Sequence, residues 1–232
     1  MYKFNEYNSM SDMSYGLPSK PHIDAVQRDM KNSSSALGRF LERWMRSPLP
    51  PFPPNYSSDT IEELNYIISR MAESQDWERE YAIRMDSPSN YYKEWADVAT
   101  YEAGLYGSGS KQYSPEWFKD ISIQVEGLID YLKILYSRPR PSQLAPAIDK
   151  KIEPILPDPE TSAYPSGHAI DSWVFATILS RLHPRSASRF EELAGNISDT
   201  RVVGGVHYPS DLVAGRMVAE YIVNNDLVSI PQ

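Results

Sequence analysis

The chain has 232 residues, a formal net charge of −8 and no cysteine. This length suits one domain with a sizeable core, with or without a modest extension, and the lack of cysteine excludes disulfides and thiolate metal sites. The acidic balance argues against non-specific nucleic-acid binding, so an anion site here has to be built from a local cluster of cations.

The first residues, MYKFNEYNSMSDMSYG, lack a basic segment followed by an apolar one, so no secretory signal is read there. The expectation is a cytoplasmic protein, or an exported one whose signal has been removed. The longest apolar stretch, Ala169 to Leu182, is broken by Asp171, Ser172 and Arg181, and no membrane span is expected. Sequons at Asn32, Asn55 and Asn196 carry no weight without a secretory signal.

Helical periodicity runs through the chain. Ile23, Val26, Met30, Leu37, Phe40, Leu41 and Trp44 share one face of a first helix, which Ser33 to Ser35 can interrupt. Pro48 to Pro54 reads as a stiff extended connector. Asp59 is expected to open a second helix, with Glu62 completing a capping box and Ile61, Leu64, Ile68 and Met71 on its buried face. A third helix is expected over 91–105.

The next helix has the clearest start, with Ser114 as N-cap, Pro115 in the first position and Glu116 at the positive end of the dipole. Its stripe is Trp117, Ile121, Val125, Leu128, Leu132 and Leu135, and Pro139 and Pro141 end it. A loop over 142–164 leads to a helix from about His168 that carries Ile170, Trp173, Val174 and Ile178. Another runs over 187–203 to Gly204-Gly205. A last one starts near Ser210 and buries Val213, Met217, Val218 and Ile222. The fold class is all-α, a single-domain bundle of about seven to nine helices. Residues 1–47 form an N-terminal helical extension and 48–232 a helical catalytic domain.

Three short blocks concentrate the chemistry. Lys133 and Arg140-Pro141 lie at a helix end, where cations often only complement the dipole. In Pro165-Ser166-Gly167-His168, the glycine lets an amide approach an anion, the serine caps a helix whose N-terminus favours anions, and the histidine can donate a proton. An ordinary Ser-Gly turn would look the same. In Arg201, His207 and Asp211, the i, i+4 spacing lets the carboxylate hold one ring nitrogen of His207 and leave the other a lone pair. A capping aspartate beside a surface histidine is the plainer reading. Jointly, ten specified letters in this order arise by chance in fewer than about one in 10⁶ chains of this size. The other histidines, His22 and His183, lack such surroundings and read as surface residues.

Together the blocks resemble the three-part signature of the type 2 phosphatidic acid phosphatase superfamily. That superfamily includes soluble bacterial class A non-specific acid phosphatases, membrane lipid phosphatases and vanadium haloperoxidases. The matching pieces are Lys133 to Pro141, Tyr164 to His168 and Thr200 to Asp211, with Thr200 where the pattern has serine. The resemblance covers about Pro48 to Ile222.

The resemblance implies a metal-independent hydrolase of phosphate monoesters. His207 is the nucleophile that becomes phosphohistidine, His168 the general acid and base, and Asp211 the residue that orients His207. Lys133, Arg140, Ser166, Gly167 and Arg201 bind the phosphate. A bell-shaped pH–rate profile, acidic to neutral, is expected. No cofactor is implied, and vanadate should inhibit as a phosphate analogue. The alternative is a vanadium-dependent haloperoxidase with vanadate bound at His207, and a second alternative is a non-catalytic phosphate or phospholipid binder. The implied partners are a small phosphomonoester substrate and a second copy of the chain in a homo-oligomer, with no nucleic acid and no membrane span. Tyr91, Tyr92, Trp95 and Tyr101 could line a pocket mouth, though the core or an interface is the commoner place for such residues.

Overall fold

In the computed structural model, the described residues are 38, 40, 52–105 and 111–231. The expected first helix therefore lies outside them, apart from Gly38 and Phe40, which are helical and buried. His22 also lies outside. Among the described residues the protein is all-α, with seven helices of more than ten residues: α1 (Ser58–Glu73), α2 (Asp76–Asp86), α3 (Pro88–Leu105), α4 (Pro115–Tyr136), α5 (Gly167–Leu182), α6 (Ala187–Val203) and α7 (Pro209–Asn224). A helical turn, Pro141–Leu144, runs into a 3-10 turn, Ala145–Ile148.

Several starts follow from local chemistry. The Ser114 hydroxyl accepts the Trp117 amide at 3.3 Å, with Pro115 behind it, as the sequence predicts for α4. α1 begins earlier than Asp59: Ser57 is the cap, its hydroxyl accepting the Thr60 amide at 3.2 Å, and Asp59 lies in the first turn. Thr60, Leu64 and Ile67 are its buried residues, so the inward face is rotated from the predicted one.

α2 is a helix the sequence pattern did not reveal. Only Ala82 and Met85 of its eleven residues are buried, too few to produce a periodic stripe. Its end capping is electrostatic: Glu78 accepts the Gln75 amide at 2.7 Å, and Arg70 joins Glu78 (2.6 Å) to Asp199 (2.7 Å), linking α1, α2 and α6.

α5 is the central helix, packed on α4, α6 and α7. Phe175, near its middle, meets Trp95 and Phe118 edge-on at 5.6 and 5.0 Å between ring centroids. α7 corrects another expectation. Val213 and Met217 are exposed, and the buried line is Asp211, Ala214, Gly215, Val218, Ala219 and Ile222. Small residues face inward because α5 passes close by: a Cβ on Gly215 would lie 2.7 Å from Ala169 Cβ and 2.9 Å from the Ser166 carbonyl oxygen. His183 is not a plain surface residue either. It is half-buried, with Nε2 2.7 Å from the Tyr113 hydroxyl.

A smaller apolar cluster, including Leu64, Leu144, Ile152, Val202 and Tyr208, anchors the irregular segment before α5. That segment is thereby held across the end of the bundle where α4 and α6 finish and α5 and α7 begin.

Candidate active site

The first block occupies the C-terminal end of α4. Lys133 lies in its last turn, and the helix stops at Ser137, a left-handed residue whose amide returns to the Lys133 carbonyl at 2.9 Å. The prolines stand just beyond this end rather than causing it. The irregular segment is tied down by the same residues. Lys133 Nζ donates to the Ser162 carbonyl (2.7 Å), and Ser162 Oγ donates to the Lys133 carbonyl (2.6 Å). Arg140 donates from Nε to the Thr161 carbonyl (2.9 Å) and from a terminal nitrogen to the Val206 carbonyl (2.7 Å).

The second block forms the start of α5. Ser166 is its N-cap, buried, with its hydroxyl accepting the Ala169 amide at 3.4 Å. A Cβ on Gly167 would approach Ile129 Cγ2 to 3.3 Å and Lys133 Cε to 3.9 Å, so this amide turn sits directly against Lys133. His168, half-buried, packs edge-on against the Tyr91 ring at 5.4 Å. Tyr91 and Trp95 are core residues, Tyr92 is half-buried and Tyr101 is exposed.

The third block crosses from α6 to α7. Gly205 takes φ 77°, a conformation an L side chain rarely adopts, and its missing Cβ would lie 2.9 Å from Met71 Sδ. The turn delivers His207, only 3 % exposed, to the same end of the bundle. Asp211 Oδ2 accepts the Tyr208 amide (2.9 Å) and lies 3.0 Å from His207 Nδ1. It is thus both a helix cap and the partner of a buried histidine: the capping half of the plainer reading holds, while its surface histidine does not.

Arg140 defines the tautomer of His207. Its terminal nitrogen lies 2.9 Å from His207 Nε2, and a guanidinium can only donate. Nε2 is therefore the acceptor, and the proton of the neutral ring resides on Nδ1, where it is donated to Asp211.

The electrostatics are those of cations held together against their own repulsion. Burial pushes the Lys133 ammonium well below its ordinary value, and neighbouring Arg140 and Arg201 push it the same way. Burial likewise lowers Arg140 to about 10. His207 is held well below the ordinary imidazole range by burial and then by Arg140, Lys133 and Arg201. His168 is depressed by burial and then by Arg201, His207 and Lys133. Arg201 donates one terminal nitrogen to Asp86 at 2.8 Å, while its Nε and other terminal nitrogen are buried without a protein partner. An anion among these groups would relieve the repulsion and satisfy the guanidinium.

Three side chains here went unread in the sequence. Asp86 follows from α2, the undetected helix. Glu63 looks like any solvated helix charge. Arg138 lies within the first block, yet the spacing drew attention only to Lys133 and Arg140. Arg138 is fully buried, 2.7 Å from Asp211 Oδ1 and 2.8 Å from Glu63 Oε2. A doubly paired buried arginine has no signature in one sequence. Among the described residues, no group of three or more His, Asp or Glu could hold a metal ion.

Buried Lys133, Arg140 and Arg201 thus gather where four helices of an all-α fold end or begin. The model of the PAP2 superfamily matches residues 121–224, a stretch that contains all three blocks. The non-specific acid phosphatase of Providencia stuartii is 33% identical over 60 residues, 26% of this chain and 24% of that protein. The one from Salmonella typhi is 38% identical over 56 residues, 24% of this chain and 22% of that protein. The chain thus spans about a quarter of the length of these curated relatives. Among solved structures, a bacterial vanadium-dependent iodoperoxidase aligns with a TM-score of 0.57, covering 77% of this chain and 52% of that one at 19% identity. At that identity the likeness extends to the fold. Among the described residues, no helix is long and apolar enough to cross a membrane.

Proposed function

We propose that the protein hydrolyses phosphate monoesters through a phosphohistidine formed on His207. The observation that carries this reading is the pairing of His207 Nδ1 with Asp211 while Nε2 accepts a hydrogen bond from Arg140. A nucleophilic histidine needs its lone pair on the nitrogen that faces phosphorus, and a carboxylate behind it to stabilise the cation that forms. Here the lone pair points towards the cations that would hold the phosphate.

The transferred phosphoryl group spreads charge over three oxygens, and catalysis is chiefly the placing of donors around them. Arg201, with two buried N–H-bearing nitrogens unpaired, Lys133, Arg140, Ser166 and the Gly167 amide are the proposed donors. Arg140 turns from Nε2 to a phosphate oxygen as substrate enters. Nε2 then attacks phosphorus, the P–O ester bond breaks, and the leaving oxygen takes a proton from His168. Water next attacks the phosphohistidine and gives a proton to His168. The P–N bond breaks and its electron pair returns to Nε2. Binding of a negatively charged phosphate beside His168 opposes the cations that depress it, so the acid gains its proton in the complex. A small water-soluble monoester is the proposed substrate class.

The test is phosphate release from p-nitrophenyl phosphate, with acid-quenched trapping of labelled enzyme. Wild type should turn over and yield an acid-labile phosphoenzyme, while His207→Ala should lose at least about 10³-fold in kcat, as removal of a covalent nucleophile does. Near wild-type turnover by His207→Ala would sink the assignment. Vanadate should inhibit. Halide oxidation with added vanadate and peroxide, in place of monoester hydrolysis, would replace this reading with the haloperoxidase one, and phosphate binding without turnover with a non-catalytic one.

A further inference from the structure

Asp211 is not the end of the chain of bonds behind His207. Its Oδ2 serves His207 Nδ1 and the Tyr208 amide, while Oδ1 accepts from Arg138 at 2.7 Å. The second terminal nitrogen of Arg138 donates to Glu63 Oε2 at 2.8 Å, and Glu63 Oε1 accepts the Ser210 amide at 2.7 Å. The nitrogen that meets Asp211 also donates to Ser210 Oγ at 2.7 Å. The guanidinium carbon also stands 3.7 Å from the Tyr208 ring centroid and 5.0 Å from that of Phe52. Arg138 is therefore held through both terminal nitrogens and against two aromatic rings, with 0 % exposure, while its Nε has no hydrogen-bond partner.

We infer that Arg138 and Glu63 are positioning residues for the nucleophile, and that the working unit is the chain Glu63–Arg138–Asp211–His207 rather than the His–Asp pair alone. Both terminal nitrogens of Arg138 are taken up by Asp211, Ser210 and Glu63, so they are not free to serve as cradle donors. A carboxylate held by one oxygen can swing about its terminal torsion. Held at both oxygens, Asp211 has one plane available, and the His207 ring inherits that orientation. Arg138 keeps Asp211 in plane; Glu63 keeps Arg138 aligned and carries its charge balance to α1. The alternative is a purely structural clamp joining α1 to the start of α7. The inference rests on the proposed role of His207.

The experiment compares wild type, Arg138→Met, Arg138→Lys and Glu63→Gln. It measures steady-state hydrolysis, inhibition by inorganic phosphate, the single-turnover rate of phosphoenzyme formation and thermal melting. The downfield NMR signal of the imidazole Nδ1 proton in the ligand-free protein adds a readout independent of activity. Losing a partner that orients a reactive ligand costs about 10–100-fold in activity. Arg138→Met should fall in that range in kcat and in phosphoryl transfer, with KM and phosphate inhibition near wild type and the Nδ1 proton signal lost or shifted. Arg138→Lys should restore part of the rate. Glu63→Gln, an isosteric change at a partly exposed side chain, should fold and lose less, with a smaller shift of the same signal; it keeps the test open where Arg138→Met is too unstable. Lowered melting with unchanged phosphoryl transfer and an unchanged Nδ1 signal would overturn the inference in favour of a clamp. A parallel loss of phosphate affinity would overturn it by placing Arg138 in the cradle. Wild type that turns over with no phosphoenzyme would instead defeat the phosphohistidine reading, while the Nδ1 signal still reports on the positioning chain.

Discussion

At the scale of single residues, the site is governed by where protons reside. Arg140 and Asp211 sandwich the His207 ring, one donating to Nε2 and the other accepting from Nδ1. Burial and the surrounding cations then make a second ring N–H proton on this residue costly, and the imidazole is depressed well below its ordinary value. The profile of kcat/KM reports groups in the free enzyme. Its acid limb, where His207 becomes protonated, should therefore lie below about 6.5, the ordinary imidazole value. An acid limb at or above that value would contradict the observed surroundings. Stability moves in the same sense. A histidine depressed on folding contributes fully above its unfolded value, and that contribution is lost as pH falls below about 6.5 and through the folded value. Unfolding midpoints measured across this range should decline towards acid, and His207→Gln should lessen the slope.

At the scale of elements, helix ends do the work and small residues set their spacing. α5 and α7 begin beside each other because Gly215 has no side chain where Ala169 and the Ser166 carbonyl approach. Overfilling such a contact typically costs about 1–3 kcal/mol. Gly215→Ala should lower stability by that amount in urea unfolding and also reduce activity, since the displaced backbone is that of Ser166. An unchanged midpoint would mean that the two helices part without cost. α4 shows how far local chemistry reaches: its cap, first proline and stripe were legible because each is a short-range signal. α2 was invisible for the converse reason. With two buried residues and a charged surface, it is a helix by virtue of its neighbours. The exposed Val213 and Met217 teach the same lesson, since hydrophobicity alone did not reveal which face of α7 meets α5.

At the scale of the whole molecule, a chain of net charge −8 gathers Lys133, Arg140 and Arg201 at one end of a helical bundle. The fold supplies the free energy that holds these cations together, and a bound anion would return part of it. Inorganic phosphate should accordingly raise the melting temperature, by an amount corresponding to roughly 2.7 kcal/mol at a hundred times its dissociation constant. Arg201→Ala should abolish the shift, and chloride at equal ionic strength should not reproduce it. A melting temperature indifferent to phosphate would mean that the cluster is not an anion site.

The sequence by itself determined the class of fold and the order and spacing of the three blocks, because helix caps, apolar stripes and motif spacings are local or linear properties. It also determined that His207 and Asp211 can meet, since four residues across a helix start leave little freedom. Only the tertiary structure decided which nitrogen of His207 carries the proton, because that depends on Arg140, sixty-seven positions away in the chain. Only it brought Asp86 to Arg201, and Glu63 and Arg138 to Asp211. Those pairings join charges that look solvent-bound in the linear chain. Their worth arises from burial, and burial is a property of the packed bundle.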